Sequence, residues 1–335
     1  MINLLLLKRK HVYIPFEYYQ GIGGPSTFMR NLKNYLDLRK FKYKSEMSST
    51  GSIFFPISFN LDELERIKTT GGEIIQRLDG IYYPSKHGDA YLEYNKNIKD
   101  IYSNYTDYVI FQSNYSYKQC FEMFGGKKNS QFSIIHNGVN CNIFYPVKDR
   151  TRCSKIINFI TTGNFRNIDM IEPVIKALDE LRSKFNFRFH LVGPIASDSL
   201  EHFFNREYIV YHGSKNMSEV ADFLRESDIF VYSHLNPPCP NSVLEAVATG
   251  LPVVGFDSGA MSELCFFNND LLAYVSDDIF QKYEDFIPGK LAEKIQTCVE
   301  NYEYYRKRSL DHAHLYSFED CGAKYVDVFN KVLQK

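Results

Sequence analysis

The sequence contains no tryptophan. Its aromatic bulk rests on 25 tyrosines and 27 phenylalanines, a bias that fits an AT-rich coding sequence and says nothing of mechanism. No uninterrupted apolar stretch approaches the ~20 residues that a bilayer-crossing helix requires. The N-terminal run Ile2–Leu7 is broken by Asn3, too short for a secretory leader, and followed rather than preceded by its charges. The seven cysteines (120, 141, 153, 239, 265, 298 and 321) are odd in number, scattered, and form no CxxC pair. That argues against a disulfide framework or zinc site and for buried thiols in a cytoplasmic protein. The nine histidines form no HxxxH or His/Cys set, so no metal is expected. There is no GxSxG nucleophile elbow either.

What is present is a chain of 335 residues, long enough for two domains. Its formal net charge of −1 excludes a polyanion binder as a whole, and with it a nucleic-acid partner. The charge is uneven. Residues 1–50 hold nine Lys/Arg against Glu17, Asp37 and Glu46, or +6, leaving −7 for the rest. The basic segment 30–44 suits peripheral contact with anionic head groups or a polyanionic acceptor; the plainer reading is a solvated helix face.

Short apolar runs alternate with amphipathic segments throughout. INLLLL (2–7), SIFFPISF (52–59), GEIIQRLD (72–79), DYVIFQS (107–113) and QFSIIHNG (131–138) read as strands. Between them lie a helix from Phe28 to Leu38, one capped by Asn60, a Tyr-rich one near 89–104 and one at 116–124. The pattern restarts near 150. KIINFITTG (155–163), FRFHLVGP (187–194), YIVYHGS (208–214), DIFVYSH (228–234) and LPVVGFD (251–257) are strands. Helices fall at 171–185, 217–227 (capped by Ser218 or a neighbour), 241–250, 288–304 and 318–333. Such alternation implies parallel sheets covered by helices. The expected division is 1–150, 151–317 and a terminal helix, 318–335.

Four segments fall at strand C-terminal ends, where open α/β sheets bind ligands. In GIGGPST (21–27), Gly23 and Gly24 let a ligand approach the backbone, and the helix that follows favours anions. The segment fails the GxGxxG spacing of dinucleotide sites. In PPCPNSVLE (237–245), Asn241 or Ser242 can cap a helix whose first amides, through Val243 and Leu244, suit a diphosphate. Glu245, one turn further, can accept both hydroxyls of a ribose, although a surface Glu would look the same. In TTGNFRN (161–167), Arg166 can neutralise a leaving phosphate or be a plain loop residue. In RLDG (77–80), Asp79 can orient or deprotonate an acceptor hydroxyl, or simply cap a turn. His136 and His234, at strand ends, are second-rank candidates.

The run SVLEAVATGLPVVGFDSGAMSEL (242–264) resembles the donor-site segment of glycosyltransferase family 4, the retaining group 1 glycosyl transferases of GT-B fold. Its Leu-Glu-Ala, Gly, Pro-Val-Val and Glu263-Leu264 carry the likeness. GIGGPSTF resembles the family's glycine loop, and IIHNGVNCNIFYP (134–146) its Asn-Gly…Phe-x-Pro segment. The resemblance implies two Rossmann-like domains facing a central cleft, with the terminal helix packing back on the first. It implies transfer of a sugar, with retention and without metal or other cofactor, from a nucleoside-diphosphate sugar held by the second domain. The acceptor would be a glycan, glycolipid or protein-linked glycan, consistent with a membrane-associated role in polysaccharide biosynthesis.

Carried over, Glu245 is the second Glu of the family's Glu-x7-Glu pair, and the first is replaced by Pro237; Asn236 or the amides after Pro240 are the candidate substitutes. The family's Gly-Arg-Leu-x3-Lys-Gly stretch reads Gly163, Asn164, Phe165, then Asp169 and Met170, with Arg166 as the nearest cation. The family's N-terminal-domain His has no match, and Asp79 is the candidate by strand order. These lost positions motivate an alternative, a non-catalytic GT-B module that binds nucleotide or glycan. An epimerase or phosphorylase of the same fold is a further one, although no lysine suits a pyridoxal Schiff base.

Overall fold

A computed structural model describes residues 11–21, 23–46, 51–126, 131–147, 156–166, 170–195, 205–275 and 288–334. The chain forms two compact units, Met1–His136 with Glu319–Lys335, and Asn137–Phe318.

In the first unit, β1 (Val12–Tyr13), β2 (Ser52–Pro56), β3 (Ile74–Leu78), β4 (Tyr108–Phe111) and β5 (Gln131–Ile134) make a parallel sheet in that order. The order hides a reversal. Lys44 bridges Tyr13 in parallel, on the edge of β1 opposite β2. The chain therefore leaves β1, returns to one side of it at Lys44, and crosses to the other side at β2. A doubly wound sheet opens its binding crevice at such a reversal. The expected strand at 2–7 lies outside the described residues. β2, β3 and β4 are buried along their whole length, which is why they read as unbroken apolar runs.

The helices of this unit are α1 (Gly24–Leu38), α2 (Leu61–Thr69), α3 (Pro84–His87), α4 (Ala90–Asp100) and α5 (Asn114–Phe124). α1 starts four residues before the expected Phe28, because Pro25 fits a first turn that needs no N–H. Asn60 caps α2 as expected, accepting from the Glu63 N–H at 3.1 Å.

In the second unit the strands are β6 (Ile157–Thr162), β7 (Phe187–Val192), β8 (Ile209–Tyr211), β9 (Ile229–Tyr232), β10 (Val253–Asp257) and β11 (Leu272–Tyr274). All are parallel, in the spatial order β8-β7-β6-β9-β10-β11, the Rossmann arrangement. Its reversal lies between β6 and β9. Its helices are α6 (Glu172–Leu181), α7 (Met217–Glu226), α8 (Asn241–Ala248), α9 (Met261–Leu264), α10 (Pro288–Glu300) and α11 (Tyr302–His312). One core gathers Phe159, Phe189 and Ile229 of the sheet with Val174 and Leu178 of α6 and Leu291 and Ile295 of α10. The cap of α7 is Asn216 rather than Ser218: its side chain accepts from the Glu219 N–H (3.0 Å), and Glu219 accepts from the Asn216 N–H (2.9 Å).

The terminal helix, α12 (Phe318–Leu333), joins the first unit from Glu319 onward. Tyr325 and Phe329 pack against Phe54 of β2, with ring centroids 5.6 and 5.3 Å away. No helix among the described residues is long and apolar enough to cross a membrane.

Candidate functional site

The reversal in the second sheet sets the C-terminal ends of β6 and β9 side by side. β6 ends at Thr162 and runs into Gly163, Asn164 and Phe165. Phe165 is buried and bridges Ile195, so Arg166 emerges next to a fixed anchor. Arg166 itself is exposed, its N–H donates to Met170 Sδ at 3.3 Å, and its guanidinium has no partner among the described residues. Gly163 lies against Gly193, the residue after β7. A Cβ on Gly193 would overlap the Gly163 carbonyl oxygen, and its φ of +136° is one that side chains avoid.

β9 leads through residues 233–240 to α8. Asn241 and Ser242 do not cap this helix; the N-cap is Pro240, and Asn241 is the first helical residue. The Asn241 side chain accepts instead from Asn137 Nδ2 at 2.8 Å, and the same amide donates to the Cys239 carbonyl at 3.0 Å. The Asn137 N–H points at Cys239 Sγ, 3.3 Å away. The Asn-Gly turn at 137 thus fixes the loop before α8, a link that no local pattern reveals. With no side-chain cap, the N–H groups of Asn241, Ser242 and Val243 sit at the positive end of the helix dipole, while the Leu244 N–H, expected among them, donates to the Pro240 carbonyl at 3.3 Å.

Glu245 follows one turn in. Its neighbours Val243, Leu244, Ala246, Val247 and Ala248 are all buried. Its carboxylate makes no hydrogen bond or ion pair among the described residues, and burial alone pushes its pKa up to about 7. At the far end of α8, buried Arg306 of α11 donates to the Gly250 and Val147 carbonyls, the latter at 3.1 Å, placing a cation on the negative end of the dipole.

The first unit carries the other candidates. Gly23 is the N-cap of α1, with φ +131°, and Gly24 its first residue. A Cβ on either would meet nothing within 4 Å. Packing therefore does not require a glycine at 24, although the backbone does at 23. Asp79 follows β3 and is paired with Arg77; their side chains are 7% and 1% exposed. The Arg77 Nε donates to the Tyr325 hydroxyl (3.0 Å), and its guanidinium lies 3.7 Å from the Phe28 ring centroid. Asp79 Oδ1 takes the ion pair, while Oδ2 is buried without a hydrogen-bond partner. The basic segment 30–44 is partly neutralised, because Lys33 pairs with Asp37 and Arg39 with Glu319.

Residues 157–301 match the family described as glycosyl transferases group 1. The match lies within the second unit, which is thus similar to the group 1 glycosyl transferases. No curated protein sequence matches the chain. Three solved structures share its fold nearly end to end. Sucrose-phosphate synthase (tll1590) from Thermosynechococcus elongatus is 14% identical with a TM-score of 0.70, over 98% of this chain and 100% of that one. Anabaena Alr3699/HepE, solved with UDP and glucose, is 13% identical (TM-score 0.66; 96% and 100% covered). WaaG, a glycosyltransferase involved in lipopolysaccharide biosynthesis, is 12% identical (TM-score 0.66; 96% and 99%). The fold is GT-B.

In the second unit the segment expected to replace the family's first Glu is held by hydrogen bonds. Asn236 is buried at φ +54°; its N–H donates to Ser258 Oγ at 2.8 Å, and the Ser258 hydroxyl donates to Asn236 Oδ1 at 3.3 Å. The Pro237 carbonyl accepts from the Ala260 N–H at 2.9 Å, and a side chain on Gly259 would collide with Pro237. His234 lies against Tyr232, ring centroids 4.7 Å apart and tilted by 40°. Sequence reasoning missed a second histidine group. His190 Nδ1 on β7 and Nε2 of His212, the residue after the neighbouring β8, are 2.9 Å apart, and burial first, then His212, pulls the His190 pKa down to about 4. Lying 22 residues apart, they left no local motif.

Proposed function

We propose that the protein transfers a sugar from a UDP-sugar to an acceptor hydroxyl, with retention of anomeric configuration. The donor belongs to the second unit. Glu245 accepts from the ribose hydroxyls. The amides of Asn241, Ser242 and Val243, the loop at Gly163 and Asn164, and Arg166 face the diphosphate. The leaving diphosphate takes the acceptor's proton, so no strong protein base is needed. The acceptor belongs to the first unit. There the loop at Gly23 and Gly24 gives it close backbone approach. Glycans, glycolipids and protein-linked glycans all offer such a hydroxyl.

The single observation that carries this reading is Glu245, an unpaired, half-buried carboxylate one turn inside a helix that opens at the Rossmann reversal. Burying a carboxyl without a partner is unfavourable unless a ligand supplies one. The choice of uridine follows HepE, solved with UDP, glucose and UDP-glucose. The test is a thermal-shift series with UDP-, GDP-, ADP- and dTDP-glucose, since a ligand that binds only the folded state raises its melting temperature. UDP-glucose raises it, and Glu245→Ala abolishes the rise. A chain that none of the four stabilises contradicts the reading. Arg166→Ala lowers turnover by an amount equivalent to about 2–4 kcal/mol of transition-state stabilisation.

One observation favours the second reading, a nucleotide-binding module without turnover. Pro237 replaces the family's first Glu, and the neighbouring Asn236 amide is already engaged by Ser258. UDP stabilisation with neither transfer nor donor hydrolysis identifies that case.

A further inference from the structure

Past β3 the chain runs Asp79-Gly80-Ile81-Tyr82-Tyr83 into α3, leaving the C-terminal edge of the first sheet. The peptide of Tyr82 is clamped there. Asn95 of α4 is buried; its Oδ1 accepts from the Tyr82 N–H at 3.0 Å, and its Nδ2 donates to the Tyr82 carbonyl at 2.7 Å. An amide that spends both ends on one residue fixes that backbone as a strand partner does.

What it holds in place is an outward ring. Tyr82 is 39% exposed and Tyr94 53%. The Tyr82 centroid lies 5.0 Å from that of Tyr94, tilted 56°, and 5.0 Å from that of His87, at 82°. His87 and Tyr94 stand at 90°, 6.0 Å apart. His87 Nδ1 donates to the Tyr83 carbonyl at 3.3 Å, which leaves Nε2 as an acceptor. Burial first, and Lys86 after it, hold the His87 pKa below its ordinary value, so the ring is neutral. No core packing requires a rigidly presented aromatic corner at the surface, and the donor chemistry uses none of these residues.

We propose that Tyr82, His87 and Tyr94 form a saccharide subsite of the first unit that takes a neutral pyranose ring of the acceptor. The subsite rests on the glycosyl-transfer reading. A tyrosine face is electronegative at its centre, and the axial C–H groups of a pyranose are weakly positive, so ring lies on ring. The sugar's hydroxyls then find the phenols and His87 Nε2 at the rim. Steep angles between the three rings make a corner that receives one ring, rather than a flat apolar stripe. Charge argues for a neutral ligand: residues 84–100 set Lys86, Lys96 and Lys99 against Asp89, Glu93 and Asp100, leaving no net attraction for an anionic bilayer.

The test is saturation-transfer NMR on the full chain with four neutral disaccharides: cellobiose, maltose, lactose and N,N′-diacetylchitobiose. The ring C–H protons of at least one receive saturation. Tyr82→Ala and Tyr94→Ala weaken that binding roughly three- to tenfold, the worth of one aromatic contact, while Tyr82→Phe keeps it. Transfer that is equal in wild type and both alanine variants overturns the proposal. So does the absence of transfer to all four sugars. Co-sedimentation with phosphatidylcholine vesicles that is lost in Tyr82→Ala, without sugar binding, also overturns it and assigns the corner to a membrane. The UDP-glucose thermal shift, run on the same variants, separates the two readings. If the shift persists while sugar binding ignores Tyr82, only the subsite fails. If the shift is absent from wild type while a disaccharide binds through Tyr82, only the donor reading fails.

Discussion

Asp79 and Glu245 are both carboxylates at the C-terminal side of a parallel sheet, and the protein treats them oppositely. Asp79 is locked to a fully buried arginine, which a tyrosine from the terminal helix and a phenylalanine from α1 hold in turn. Glu245 has no partner at all among the described residues. Two of the glycines differ in the same way. Gly193 is required by the carbonyl it touches, whereas Gly24 faces open space. Burial therefore does not distinguish a structural carboxylate from a binding one; the presence of a partner does.

Breaking the locked pair has the largest expected effect. Arg77→Met leaves Asp79 buried without its cation and costs about 3–5 kcal/mol in urea unfolding, and adding Asp79→Asn recovers part of the loss. Glu245 behaves in the opposite sense. Its pKa rises from the ordinary 4.5 to about 7 on folding, so between those values the folded state holds the extra proton. Stability falls as pH rises through that window, by up to about 3 kcal/mol, and levels off above it. Glu245→Gln removes this slope, measured as unfolding free energy at pH 5 and pH 8. Next is the glycine contrast. Gly193→Ala destabilises by about 1–3 kcal/mol, while Gly24→Ala leaves thermal stability nearly unchanged and lowers turnover. The smallest effect belongs to Asn137→Ala, about 1 kcal/mol from the lost tie to the loop before α8, read as a lower unfolding midpoint.

The fold was legible because parallel strands buried on both faces leave runs such as SIFF, YVIF and LPVV that nothing else in the chain imitates. β1 was not, since a two-residue strand has no period to detect, and Val12-Tyr13 stands in the shadow of INLLLL. The helix at Asn241 was legible, but its cap was misassigned. Asn241 is a favoured capping residue by type, and only the position of Asn137, 104 residues away, shows what its side chain does instead. Half of the Asp79 environment was within reach, because residues two apart on a strand share a face and Arg77 is two residues earlier. The other half depends on Tyr325, 248 residues from Arg77. Local pattern thus located the candidate residues, while long-range partners set whether each one is free to bind.

The terminal helix carries a consequence for the order of events during synthesis. The second unit is one continuous stretch of chain, so all its parts have left the ribosome once Phe318 has. The first unit draws on both ends of the sequence, and the face of its sheet around Phe54 and Arg77 stays uncovered until Tyr325 and Phe329 arrive. The half made first is thus the half finished last, and in the interval it exposes an apolar sheet face, the kind of surface that chaperones recognise on nascent chains.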